Sequence, residues 1–148
     1  MTEQVEPPIL AQLIAEKCAE SPDLDVLTFV SIGDDGNYIE EIRTYRQLWE
    51  NGQRVAAALD AENMAFGDAF AIISLNHPEF VDTMVGSSIV GTIFVPIDPR
   101  TKGQKLSYMI NHAGCRGAVI GDYALANLAE VLSDCPQLEW VWVITTNQ

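Results

Sequence analysis

An α/β fold, with a mainly parallel sheet flanked by helices and preceded by a helix and a β-hairpin, is what this sequence predicts. From Gly67 onward short apolar strands alternate with helical stretches, the rhythm of strand-crossover-strand units. The late run Trp140–Ile144 is apolar throughout rather than alternating, as in parallel strands covered on both faces. With 48% apolar and 20% charged residues among 148, the chain can bury one sizeable core and does not have the composition of extended disorder. One α/β unit over residues 1–148 is expected, divided into a helix and hairpin (1–43) and a helix followed by βα repeats (44–148).

Pro7 and Pro8 open a stretch in which Leu10, Leu13, Ile14 and Cys18 share a helical face, and Ser21-Pro22 breaks it. Residues 26–32 and 38–42 are β-rich and flank Gly33-Asp34-Asp35-Gly36-Asn37, a hairpin turn. In Thr44-Tyr45-Arg46-Gln47 a hydroxyl and a carboxamide stand three residues apart, the spacing of a capping box. The helix it starts carries Leu48, Val55, Ala56 and Leu59 as its apolar stripe, with Asn63 and Gly67 as terminators.

The later strands are expected at 70–75, 92–97, 117–120 and 139–145, with helices at 80–90, 104–113 and 123–132. Asn76-His77-Pro78-Glu79 offers a capping side chain, a proline for the first turn and an acid at the positive helix end. Thr101-Lys102-Gly103-Gln104 has the form of a second capping box, and Gly114 suits a left-handed stop. Gly86, Ser87, Ser88 and Gly91 lack bulk and predict close approach of that helix to the sheet. The spacing shows no repeat, linker or low-complexity segment.

The net charge of −13 disfavours nucleic acid and anionic lipid as partners. Runs such as 70–75 and 140–144 are too short to cross a bilayer, and the acidic N-terminus lacks a signal peptide's basic and apolar regions. A cytoplasmic protein is expected. Cys18, Cys115 and Cys135 are odd in number and not in metal or redox spacing, so they read as buried or half-buried thiols.

Thr44-Tyr45-Arg46-Gln47-Leu48, Phe66-Gly67-Asp68, Asn76-His77-Pro78-Glu79-Phe80, and Gly91 with Val95-Pro96-Ile97-Asp98-Pro99-Arg100 occur in an order and spacing that resembles the adenylate-forming (AMP-dependent synthetase/ligase) superfamily, over about residues 44–120. Thr92 after Gly91 and the loose Ala69-Phe70-Ala71 entry depart from its usual pattern. The resemblance implies the N-terminal subdomain of an acid/acyl-CoA ligase. Such an enzyme activates a carboxylate with ATP to an acyl-adenylate, releases pyrophosphate and passes the acyl group to a thiol, assisted by Mg²⁺.

Adenylation needs a Ser/Thr/Gly-rich loop ending in lysine, because backbone N–H groups and an ammonium must hold the migrating phosphate charge. The chain contains no such loop; Gly86-Ser87-Ser88 lies in an apolar helical stretch with no lysine after it. The family's adenine-binding segment, ribose-binding aspartate and late catalytic lysine are also missing. The expectation is therefore a truncated N-terminal portion, inactive by itself, which releases no pyrophosphate from ATP. No catalytic and no metal-binding residue is assigned to it. ATP, Mg²⁺ and CoA belong to the parent enzyme, with a carboxylic acid as substrate and the remainder of the ligase, beyond Gln148, as partner.

Between Pro99 and Gly121 there is no acid, while Arg100, Lys102, Lys105 and Arg116 are present. They predict a local positive field in an acidic chain, of the kind phosphates seek. By analogy with ligases whose N-terminal portion helps hold the CoA nucleotide, Arg100, Lys102 and Lys105 are the candidate CoA phosphate contacts. His77 and His112 read as helix-end residues, Asp34-Asp35 as turn chemistry, and Tyr45, Trp49, Trp140 and Trp142 as core aromatics. Two other readings share the pattern: the N-terminal part of a peptide synthetase's amino-acid adenylation domain, and a short non-catalytic module that pairs through its apolar end strand.

Overall fold

The computed structural model describes residues 9–146; Pro7, Pro8 and Gln148 lie outside the described residues. Among the described residues five helices and six strands follow in the order α1 (Leu10–Glu20), β1 (Asp25–Ile32), β2 (Tyr38–Thr44), α2 (Tyr45–Ala61), β3 (Ala69–Ile73), α3 (Pro78–Val90), β4 (Ile93–Pro96), α4 (Gly103–His112), β5 (Cys115–Gly121), α5 (Leu125–Val131) and β6 (Trp140–Ile144). Short 3₁₀ turns flank α5 at Asp122–Ala124 and Leu132–Asp134. β1 and β2 form an antiparallel hairpin, and the other four strands form a parallel sheet in the order β4-β3-β5-β6. The expected α/β architecture is therefore present.

Period-two alternation sorts the sheet's side chains into two layers. Ala71 and Ile73 of β3 join Ala118 and Ile120 of β5 against Leu106 and Ile110 of α4 and Leu128 and Val131 of α5. On the opposite face Phe70, Ile72, Val119 and Trp140 pack with Leu59 and Met64. Every residue of β3 is buried, because β4 and β5 pair on its two sides and helices cover both faces.

The Thr44 box is formed: its hydroxyl accepts from Gln47 N–H at 3.3 Å, and the Gln47 carboxamide accepts from Thr44 N–H at 2.9 Å. Such a cap contributes about 1 kcal/mol. Gly114 stops α4 with φ 66°, and the Gly33–Asn37 turn closes the hairpin through Gly33 N–H to Asn37 C=O at 2.8 Å. The other two expected caps are not made. His77 and Lys102 occupy the N-cap positions, neither with a side-chain hydrogen bond to the helix. Chain direction decides this, since Asn76 and Thr101 sit one residue too early for their side chains to reach the first-turn N–H groups.

The small residues of α3 approach another helix rather than the sheet. A Cβ on Gly86 would lie 2.9 Å from the Gly52 carbonyl and against Val55, and one on Gly52 would meet Val85, so α2 and α3 touch backbone to backbone. Ser88 Oγ accepts from Ala11 N–H of α1 at 3.0 Å, satisfying a helix-start donor for which Ile9 has no side-chain acceptor. On α1, Ala11 is buried while Leu10 and Leu13 are exposed, so the expected stripe is rotated toward its smaller residues.

Among the described residues no helix is long and apolar enough to cross a membrane. Cys115 and Cys135 are buried and Cys18 half-buried, all as free thiols. Burial pushes the Cys115 thiol up to about 11, which keeps it protonated and inert.

Candidate functional site

The carboxyl ends of parallel strands are where open α/β sheets receive ligands, and here the loops after β3, β4, β5 and β6 converge there. After β4, Asp98, Pro99, Arg100 and Thr101 lead into α4. A groove of about 360 Å³ is lined by Asp98, Arg100, Thr101, Lys102 and Lys105. The three basic residues named from sequence thus stand together, two in the loop and Lys105 in the first turn of α4, where backbone N–H groups add positive potential.

The field there is weaker than the sequence implied. Asp98 accepts from Arg100 Nη2 at 2.6 Å, Nε at 3.0 Å and backbone N–H at 2.9 Å. Those hydrogen bonds, the Arg100 side chain's foremost, pull the Asp98 carboxyl down to about 2. Arg100 is thereby largely neutralised, and the free positive charge rests on Lys102 and Lys105, which form no ion pair among the described residues.

Arg116, the fourth base in the acid-free stretch, lies at the opposite end of the sheet. β3 and β5 shift register between Ala69/Phe70 and Cys115/Gly117, so Arg116 is the extra residue of a bulge, which re-aims its side chain. It donates to Asp68 Oδ2 at 2.6 Å, to Glu139 Oε1 and Oε2 at 3.1 and 2.8 Å, and to the Asn63 carbonyl at 3.2 Å. That arrangement clamps the entries of β3, β5 and β6.

After β3 and β5 a second polar cluster forms. Leu75 N–H donates to Tyr123 Oη at 2.6 Å, and His77 Nε2 lies 3.1 Å from the same oxygen. Asp122 accepts from Thr146 N–H at 2.8 Å and Oγ1 at 2.7 Å, which lowers its pKa. These contacts fix the loops to one another. His112 stacks on Tyr108 with centroids 5.2 Å apart at the end of α4, and Asp35 accepts from Asn37 within the hairpin turn. Both keep the structural roles read from sequence.

No cluster of three His, Cys, Asp or Glu side chains stands together among the described residues. Gly86-Ser87-Ser88 is used in packing, with Ser87 Oγ hydrogen-bonded to the Thr92 carbonyl at 3.0 Å. No local signal in the sequence marks Asp82, which is 6% exposed. Its partners Arg43 and Asn51 come from β2 and α2, so only the packing of α2 on α3 assembles the group.

A family model described as AMP-binding enzyme matches residues 14–148. The chain is 31% identical over 94 residues to 4-hydroxybutyrate–CoA ligase 2 of Metallosphaera sedula, covering 64% of this chain and 17% of that protein. It is 27% identical over 128 residues to tyrocidine synthase 3 of Brevibacillus parabrevis, covering 86% of this chain and 2% of that protein. Its fold is similar to the crystal structure of an anthranilate CoA ligase in complex with anthranoyl-AMP, with a TM-score of 0.80 and 20% identity over 94% of this chain and 26% of that one. The chain therefore spans less than a fifth of the two relatives' lengths and about a quarter of the solved ligase.

Proposed function

We propose, from the premise that this chain belongs to the AMP-binding enzyme family, that it is the N-terminal scaffold of an AMP-forming acid–CoA ligase. In that reaction a carboxylate oxygen attacks the α-phosphorus of ATP and pyrophosphate leaves; the CoA thiol then attacks the acyl carbon and AMP leaves. The observation that carries this reading is the family match across nearly the whole chain, on a parallel sheet whose loops gather at its carboxyl end. No Ser/Thr/Gly-rich loop ending in lysine occurs in the sequence, and this reading assigns both displacements to residues outside it.

This chain's own contribution is positional. Lys102 and Lys105, with Arg100 once it exchanges Asp98 for phosphate, hold a CoA phosphate at the groove after β4. All three are exposed, so each contact is screened and modest. The working place is the cytoplasm, where ATP and CoA are supplied. The unpaired side of β6, where Val143 is 42% exposed, is a site of self-association if no other strand covers it.

In the complete ligase, reversing Arg100, Lys102 and Lys105 to glutamate is expected to raise the apparent KM for CoA by about tenfold. The rate of acyl-adenylate formation should stay unchanged. Unaltered CoA dependence would remove these residues from the site. A second reading, an amino-acid adenylation domain, is favoured by the similarity to tyrocidine synthase 3 over 86% of this chain. Transfer to a carrier-protein thiol, with no response to CoA, would select it.

A further inference from the structure

The β1–β2 hairpin is a sheet of two strands among the described residues, and two strands alone are marginal in water. Its two outer edges differ. β2 reads Tyr-Ile-Glu-Glu-Ile-Arg-Thr, and Glu40, Glu41 and Arg43 guard it against a further strand, a common protection of sheet edges. β1 carries no charge, proline or glycine from Val26 to Ile32, where it reads Val-Leu-Thr-Phe-Val-Ser-Ile. A seven-residue run of that composition recruits another strand when its edge is open. Here it is open: among the described residues β2 pairs with one side of β1 and no strand pairs with the other.

Gly33 N–H turns toward β2 and bonds the Asn37 carbonyl at 2.8 Å. Direction alternates from residue to residue along a strand, so Thr28, Val30 and Ile32 turn their N–H and C=O groups to the open side. All three residues are exposed, Val30 by 58% and Ile32 by 72%, so an incoming strand reaches them. The edge suits its own copy. An antiparallel pair about a two-fold axis at Val30 sets Val30 opposite its counterpart and Thr28 opposite Ile32, with their side chains packed side by side and no like charges meeting. The same construction on β2 would set Glu40 against Glu40. A strand pair of this length buries on the order of 1,000 Å² in total, near the lower limit for specific association, so the contact is weak and reversible. We propose that two copies of this chain join β1 to β1, antiparallel and centred on Val30, into a four-stranded sheet ordered β2-β1-β1-β2. This contact is independent of the CoA groove and of the open side of β6.

Sedimentation of this chain from about 0.01 to 1 mM is expected to show a reversible rise from 16.3 kDa toward twice that mass. Each copy carries a net charge of −13, so added salt should strengthen the rise by screening the repulsion. With the dimer formed, amide hydrogen exchange should slow at Thr28, Val30 and Ile32, while Phe29 and Ser31, already turned toward β2, change little. Val30→Lys sets two ammonium groups against each other at the axis, and Thr28→Pro removes an outward donor without touching the β2 ladder. Each should weaken association by at least about tenfold, and both sites are exposed, so either one decides if the other fails to fold. Val143→Lys, on the open side of β6, should leave association unchanged. The inference is overturned by a chain that stays monomeric throughout, by association that the folded β1 variants leave intact, or by loss of association in Val143→Lys. It is equally overturned by protection at other amides or by a dimer that salt dissolves.

Discussion

Gly117→Ala is expected to lower the stability of the fold by about 3 kcal/mol or more, at the upper end of what overpacking a tight core costs. Gly117 pairs with Trp140 across β5 and β6, and a Cβ on it would land within the Trp140 indole. Neither strand can give way easily. β5 is held by β3 on its other side, and the indole is packed 5.8 Å from Phe70 and 4.5 Å from Trp142, centroid to centroid. Denaturant unfolding followed by tryptophan fluorescence reads the loss. In Gly117→Ala/Trp140→Val the clash is gone, so the double variant should be less destabilised than the sum of the singles, a favourable coupling of about 1 kcal/mol or more. Additive effects would mean that the indole is not what forbids the side chain.

Gly117 also marks where sequence reading stops. Each strand and helix after Thr44 was legible because its apolar run, its starting proline or its terminating glycine lies within a few neighbouring residues; Gly114 and the Thr44 box are local chemistry. The requirement for glycine at 117 comes from a strand more than twenty residues later, and that of Gly52 from Val85 on another helix, so neither has a local signature. Arg116 shows the same limit from the side of function. In sequence it sits in the acid-free stretch with Arg100, Lys102 and Lys105, yet it lies at the start of β5, at the opposite end of the parallel sheet from the loop after β4. Asp98, just outside that stretch, neutralises Arg100. Counting charges along the chain located the groove but overstated its field, because sequence distance does not say which acids fold back onto which bases.

Asp82→Asn is expected to stabilise the chain at neutral pH by an amount on the order of 2 kcal/mol, the reverse of what a substitution at a buried, hydrogen-bonded acid usually does. Desolvation raises the Asp82 carboxyl from 3.8 to about 6, against the opposing pull of Arg43 and the Asn51 hydrogen bond and with Glu79 and Glu41 adding to the rise. A carboxyl whose pKa is higher folded than unfolded binds its proton more tightly in the native state. Its contribution to stability is therefore complete below about pH 4, falls as pH rises through about 6, and is a standing penalty above that. Asparagine keeps the shape and removes the charge. Asp68, Asp98, Asp122 and Glu139 have lowered pKa values and work in the opposite direction. The test is accordingly the difference between the two chains' unfolding free energies from about pH 4 to 8: near zero at the acid end, growing in favour of asparagine as pH rises above about 4 and levelling off above about 6. A flat difference, or one favouring aspartate at neutral pH, would show that Arg43 and Asn51 fully compensate the buried charge. If the penalty is found, Asp82 is a buried ion that the Asn51 hydrogen bond and the more distant Arg43 guanidinium do not fully compensate.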